Sequence, residues 1–134
     1  MRLMQHETAL LLAGPATTAN PPTLFGGRWI NQMGSSMDLT INGASVTGVY
    51  TSASSAVGAS VTGSIIGYVA EDVISFSVLW VASGSITSWV GQLVEDGGQP
   101  KLRTLWNLVT NVPDQNEPLK LWMSTFTGAD EFHR

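Results

Sequence analysis

The chain has 134 residues, 43% of them hydrophobic and only 12% charged, with a formal net charge of −4. That length suits one ordinary domain, and six scattered Lys and Arg residues exclude nucleic acid as a partner, because phosphate recognition needs clustered cations. The absence of cysteine excludes a disulfide framework, a thiolate metal site and a cysteine nucleophile, and no apolar run approaches the roughly 18 residues of a membrane span.

Met1 to Ala19 carries Arg2, the apolar stretch Ala9 to Ala13, and then Ala16-Thr17-Thr18-Ala19. This pattern is shared by a short secretory leader and by a disordered arm, and both remain open; Glu7 and the shortness of the stretch weigh against the leader. Asn20-Pro21-Pro22 reads as a linker, which divides the chain into an arm, 1–24, and a folded unit, 25–134. From Gly26 onward, strand-like runs alternate with turn signals at the spacing of an all-β sandwich or barrel. The runs are 27–33, 36–42, 45–53, 60–70, 73–81, 85–94, 100–110 and 120–127. Asn42-Gly43 is expected as a two-residue hairpin turn, and Asp96-Gly97-Gly98 lies between the sixth and seventh runs. A meander of this kind closes most simply into an eight-stranded antiparallel up-and-down β-barrel, which leaves no free edge.

Side chains of one parity share a face of a strand. Ile74, Phe76, Val78 and Trp80 therefore point one way, and this is the inner face. The same logic sends Trp29, Asn31, Met33 and Ser35 inward from the first strand, and Val46, Tyr50, Ser52 and Ser54 from the third. Ser85, Thr87 and Trp89 follow from the sixth, and Leu102, Thr104, Trp106 and Leu108 from the seventh. Amides and hydroxyls thus interleave with tryptophans inside the barrel. Each buried polar group without a partner costs about 1–3 kcal/mol, so these groups either satisfy one another or meet a polar ligand. Ile30, Val49, Leu79, Ile86, Val90, Leu105 and Val109 fall on the outward parity. Apolar residues there, on a chain with about half the usual charged fraction of roughly 25%, point to contacts between copies.

At this point the sequence resembles the avidin/streptavidin family over roughly residues 26–132. The resemblance rests on the segments 27–35 (GRWINQMGS), 48–52 (GVYTS), 76–80 (FSVLW), 87–92 (TSWVGQ), 104–108 (TLWNL), 122–125 (WMST) and 128–132 (GADEF), in that order. A Gly27-x-Trp29 start alone is also a lipocalin feature. The resemblance implies high-affinity, non-covalent binding of biotin as a ligand rather than as a cofactor. Asn31, Ser35 and Tyr50 would donate to the ureido oxygen, while Ser52 and Asp130 would accept from the ureido N–H groups, with Gln32 orienting Asp130. Thr87 would meet the thioether sulfur. Ser85 and backbone N–H groups near Ala56 would hold the carboxylate. Trp80, Trp89 and Trp106 would wall the ring and chain, with Met33 and Leu108 filling gaps. Trp122 would reach into a neighbouring subunit's site, which requires a homo-oligomer, a tetramer. The resemblance also implies a secreted or periplasmic protein. Ser54 and Ala56 depart from the family pattern, and the Ser54–Ala59 loop over the ligand is about two residues short against streptavidin.

Most of these residues also admit a plainer role. Any single Trp is ordinarily core, and Trp29 is read as that alone. Asp130 near a chain end would ordinarily be solvated. His6 and His133 have no metal spacing or nucleophile around them, and Glu95, Asp96, Asp114 and Glu117 read as solvated hairpin charges. A lipocalin-like carrier of another hydrophobic molecule would want a greasier interior, and an assembly protein with a vestigial pocket would not retain the polar set. No nucleophile–base pair or paired carboxylates suggest an enzyme.

Overall fold

In a computed structural model, residues 4–16, 22–54 and 60–134 are described. They form eight strands: β1 (Gly27–Asn31), β2 (Ser36–Asn42), β3 (Ser45–Ser52), β4 (Val61–Ala70), β5 (Val73–Trp80), β6 (Ser85–Asp96), β7 (Gln99–Thr110) and β8 (Thr125–His133). Each strand pairs antiparallel with the next, and β8 returns to β1, so the sheet closes on itself in up-and-down order.

The turns follow from residue chemistry. Between β6 and β7, Gly97 and Gly98 both take positive φ, 62° and 82°, as a two-residue type I′ turn requires. The β2–β3 turn falls one residue later than expected. Asn42 pairs with Ser45, so Gly43 and Ala44 are the central residues and only Gly43 has positive φ. A glycine in the first central position suits a type II′ turn, and this register keeps Leu39 and Ile41 against the core.

The last strand is the main departure from the sequence pattern. The alternation predicts it over 120–127, and it lies at Thr125–His133; the preceding segment is helical, with a 3-10 turn at Asp114–Asn116, a short α-helix at Glu117–Lys120 and a second 3-10 turn at Leu121–Met123. Pro118 sits in the first turn of that helix, where its missing N–H is harmless and its fixed φ suits the start of a helix. The inner register of β8 is set instead by Phe132, fully buried between its partners Asn31 and Leu102. In the N-terminal arm, His6–Ala13 forms a short helix with no buried residue. Of the expected linker, Pro22 opens a 3-10 helix, Pro22–Phe25, while Asn20 and Pro21 lie outside the described residues.

Inward side chains fill one end of the barrel. Trp29, Met37, Leu39, Val46, Ile65, Val69, Ile74, Phe76, Leu102 and Phe132 are buried there, with Phe25 of the 3-10 helix. Phe25 is held by its backbone: the Trp29 indole N–H donates to its carbonyl at 2.8 Å. Arg134 seals this end from outside. Its guanidinium lies 4.0 Å from the centre of the Trp29 ring and donates to the carbonyls of Leu24 at 2.6 Å and Gly26 at 2.7 Å. Outside, Val49, Leu79, Ile86, Val90, Leu105 and Val109 are exposed, joined by Ile66 and Tyr68; Ile30 is only half-buried.

The Arg134 latch combines cation–π attraction with charge-assisted hydrogen bonds. Arg134→Ala is expected to lower unfolding stability by about 2 kcal/mol, read from the midpoint of urea denaturation. An unchanged midpoint would show that the latch contributes nothing.

Candidate functional site

The end of the barrel opposite Arg134 is hollow. Here β5 ends at Trp80, which pairs with Ser85, and Ser85 with Thr110. A cavity of about 400 Å³ opens there, lined by Tyr50, Ser52, Ser54, Val61, Trp80, Ala82, Ser83, Ser85, Thr87, Trp89, Trp106 and Leu108. This is within the size range of small-molecule sites, roughly 300–1,000 Å³.

Aromatic rings make its floor rigid. Trp89 is stacked on both sides, against Phe76 with centroids 4.9 Å apart and against Tyr50 at 4.8 Å. Trp80 and Phe132 meet the Tyr50 ring edge-on at 5.8 and 6.3 Å. Trp106 is the cross-strand partner of Trp89 on one side and of Gly128 on the other. A Cβ at position 128 would collide with the Trp106 ring, so only glycine lets that indole lie against β8.

The polar groups have defined roles, because the protein already uses one side of each. The Asn31 side-chain oxygen accepts from the N–H groups of Met33 at 3.0 Å and Ser35 at 2.9 Å, which turns its NH₂ toward Tyr50 Oη, 3.2 Å away. Ser35 Oγ accepts from the Ala53 N–H at 2.9 Å. The Asn31 oxygen is therefore fully occupied, and the Ser35 and Tyr50 hydroxyls each have one lone pair taken by a protein N–H and a proton that can turn to a ligand. Burial, reinforced by the negative Asp130, holds the Tyr50 phenol well above its ordinary value of 10.0, although the Ser35 hydroxyl pulls the other way. The phenol stays a donor.

Ser52 is the converse case. Its proton goes to the Ser54 carbonyl at 2.6 Å and it accepts from the Ser54 N–H at 3.4 Å, which leaves one lone pair as an acceptor. Thr87 Oγ1 accepts from the Trp80 indole N–H at 2.9 Å and keeps its own proton. Asp130 is held from two sides at 2.9 Å, by Gln32 Nε2 on Oδ1 and by the Trp89 indole N–H on Oδ2. Gln32 in turn accepts from the Glu131 N–H at 3.1 Å. Each carboxylate oxygen still has a lone pair for a further donor. At the mouth, the Ser83 and Ser85 hydroxyls are hydrogen-bonded at 2.7 Å.

Of the residues singled out in the sequence, Tyr50, Ser52, Ser54, Trp80, Ser85, Thr87, Trp89, Trp106 and Leu108 line this one cavity. Asn31, Ser35 and Asp130 adjoin it through Tyr50 and Trp89. Met33 is a correction: β1 stops at Asn31, parity ends with it, and Met33 sits in the following turn, 71% exposed. Trp122 is outside its own cavity and 82% exposed, its indole N–H tied to the Leu119 carbonyl at 2.8 Å. Ala56 lies outside the described residues, as does most of the Ser54–Ala59 loop. Val61, Ala82 and Ser83 are cavity residues that the sequence reading misses. Val61 shares parity with buried Ile65 and Val69 and was legible; Ala82 and Ser83 sit in a 3-10 turn, Val81–Ser83, where parity gives no guide. Among the described residues, no group of three or more His, Cys, Asp or Glu could hold a metal ion.

The avidin family's sequence profile matches residues 19–134. Among solved structures, apo shwanavidin is 33% identical, with 79% of this chain and 94% of that chain covered and a TM-score of 0.66. Xenavidin is 28% identical over 85% of this chain and 99% of that one, with a TM-score of 0.71. A complex of short afifavidin with biotin is 28% identical over 79% and 85%, with a TM-score of 0.63. A comparison with curated protein sequences found no match. Profile, fold and cavity agree: the chain belongs to the avidin family.

Proposed function

We propose that this protein binds biotin, non-covalently and without turning it over, in the hollow end of the barrel. The observation that carries this is the division of labour among the polar groups. A cyclic urea presents one acceptor oxygen and two N–H donors. Asn31, Ser35 and Tyr50 have protons to give to the oxygen, and Ser52 and Asp130 have lone pairs for the N–H groups. Ionised Asp130 polarises the urea, which strengthens the bonds at the opposite oxygen. Thr87 faces the same cavity with a proton for the thioether sulfur, the Trp80, Trp89 and Trp106 rings enclose the apolar part, and Ser85 at the mouth meets the carboxylate. A lipocalin-like cargo of plain hydrocarbon would leave these polar groups without partners.

The working form we propose is an exported homotetramer. Six outward residues expected from parity are exposed and apolar, and Trp122 stands free of its own cavity in a position to enter another. Export is supported by the resemblance to the avidin/streptavidin family alone.

Saturating biotin is expected to raise the melting temperature by about 10 °C or more, through selective binding to the native state; no shift would end the proposal. Asp130→Ala is expected to cost about 3 kcal/mol of binding, roughly a hundredfold in Kd, because the ligand donor loses a charged acceptor. Titration calorimetry on the folded variant reads this directly, and an unchanged Kd would remove Asp130 from the site.

The raised Tyr50 pKa fixes the alkaline limit. The folded state keeps the phenolic proton longer than the unfolded chain does. Its contribution to stability is therefore intact below pH 10.0 and is lost as pH rises from there through the folded value. Biotin affinity should hold constant from pH 7 to about pH 10, while Tyr50→Phe should weaken binding roughly tenfold throughout. A wild-type affinity that drops between pH 8 and 10 contradicts a protonated Tyr50.

For assembly, Trp122→Lys is expected to speed biotin release at least tenfold and to loosen the tetramer. A wild-type protein that sediments as a monomer would overturn this part of the proposal.

A further inference from the structure

Gly63 stands on the inward parity of β4, between Val61, which lines the cavity, and buried Ile65. Its cross-strand partner on β3 is Tyr50. On the other side Ile65 pairs with Val78 of β5, and Gly63 and Trp80, each two residues nearer the mouth, continue that row. Two aromatic residues thus flank a position with no side chain, and their rings meet across it, edge-on at 5.8 Å. A Cβ at position 63 would collide with Val78 Cγ1 and come within 3.3 Å of the Trp80 ring. Gly67, on the same face of the same strand, is a different case. A Cβ there would meet the backbone of Ser75 and Phe76, so that glycine serves the close approach of two strands. Gly63 makes room for side chains.

Seated back against β4, the Trp80 indole reaches Thr87 on β6 and donates to its Oγ1 at 2.9 Å. Val78, the cross-strand partner of Thr87, is fully buried beside Gly63. Being β-branched, it has little rotamer freedom with which to yield. A methyl group added at 63 therefore moves Val78 and Trp80 off β4 together and draws the indole N–H away from Thr87.

We propose that Gly63 determines specificity for the sulfur of the ligand ring. Its missing side chain seats Trp80, and the Trp80 N–H occupies one lone pair of Thr87. The Thr87 proton is left for the cavity, where a thioether sulfur can accept it. A bond to sulfur is weak, so it contributes only where the donor is already aimed. This inference rests on the biotin reading and adds to it a positioning residue that acts on the ligand through two others.

The test compares biotin with desthiobiotin, which keeps the cyclic urea and the acid chain but has no sulfur. A loss of stability or of wall packing acts on both ligands alike and cancels in the ratio of their Kd values. In titration calorimetry, Gly63→Ala is expected to weaken biotin roughly tenfold and to narrow that ratio by about threefold against wild type. Gly128→Ala, which displaces the other wall indole, Trp106, should weaken both ligands and leave the ratio unchanged. In a Thr87→Val background, Gly63→Ala should not change the ratio further. Equal weakening of both ligands by Gly63→Ala overturns the proposal. So does a narrowing that persists in the Thr87→Val background, or one that Gly128→Ala reproduces. If Gly63→Ala does not fold, the double variant Gly63→Ala/Val78→Ala, in which methyl groups removed make room for the one added, carries the same comparison with the same outcomes. A wild type that binds neither ligand ends the biotin reading and this one with it. Equal weakening in a protein whose wild type binds biotin ends this one alone.

Discussion

The bond from Asn31 Nδ2 to Tyr50 Oη joins β1 to β3 across the inside of the barrel, at 3.2 Å, and the character of the site depends on it. It can form only because Trp29, Met37 and Tyr50 stand in one cross-strand row, so that Asn31, two residues beyond Trp29, faces the same interior. A slip of one residue in either pairing would send every side chain of that strand to the opposite face. The bond also assigns direction. By occupying one lone pair of the phenol, it leaves the phenolic proton to be offered to the cavity. The turn after β1 completes this by giving two backbone N–H groups to the Asn31 oxygen.

Affinity in such a site comes from groups that need not move. Phe76, Trp89 and Tyr50 form a continuous stack, and Trp89 is pinned in the plane by its bond to Asp130. One ring thus positions both the phenol and the carboxylate. The filled end beneath it, sealed by Phe25 and Arg134, prevents a ligand from sinking deeper than the stack. Little conformational freedom remains to be lost on binding, so more of the contact energy survives as affinity.

Much of this is legible in the sequence where a two-residue period operates. Parity places Tyr50, Ser52, Thr87, Trp89, Trp106 and Leu108 inside, and the structure puts them in one cavity. Parity fails where strands end. It carries Met33 two residues past the end of β1 into a turn, and it draws β8 over 120–127 because Leu121, Met123 and Thr125 alternate plausibly, although Pro118 favours a helical turn just before them. Which group donates and which accepts is not readable at all. That depends on where each hydroxyl spends its proton, and in Ser52 the deciding partner is a backbone carbonyl two residues away.

The low charge of the chain has a structural cause in the same alternation. Every strand contributes one set of side chains to the interior and another to the outer wall, so a chain that is 12% charged must present a wall poor in charge. On β5 to β7 that wall is ordered in rows: Leu79, Ile86 and Val109 pair across the strands in one, Ser75, Val90 and Leu105 in another, and between them Ser77 and Ser88 share a hydrogen bond of 2.6 Å beside Asn107. Largely apolar rows, one of them ending in Ser75, flank a satisfied polar row, which resembles the arrangement of a protein interface, where burial supplies energy and a few polar pairs fix register. Asp130 lies at the margin of this same wall, and its carboxylate holds the Trp89 indole that lines the cavity.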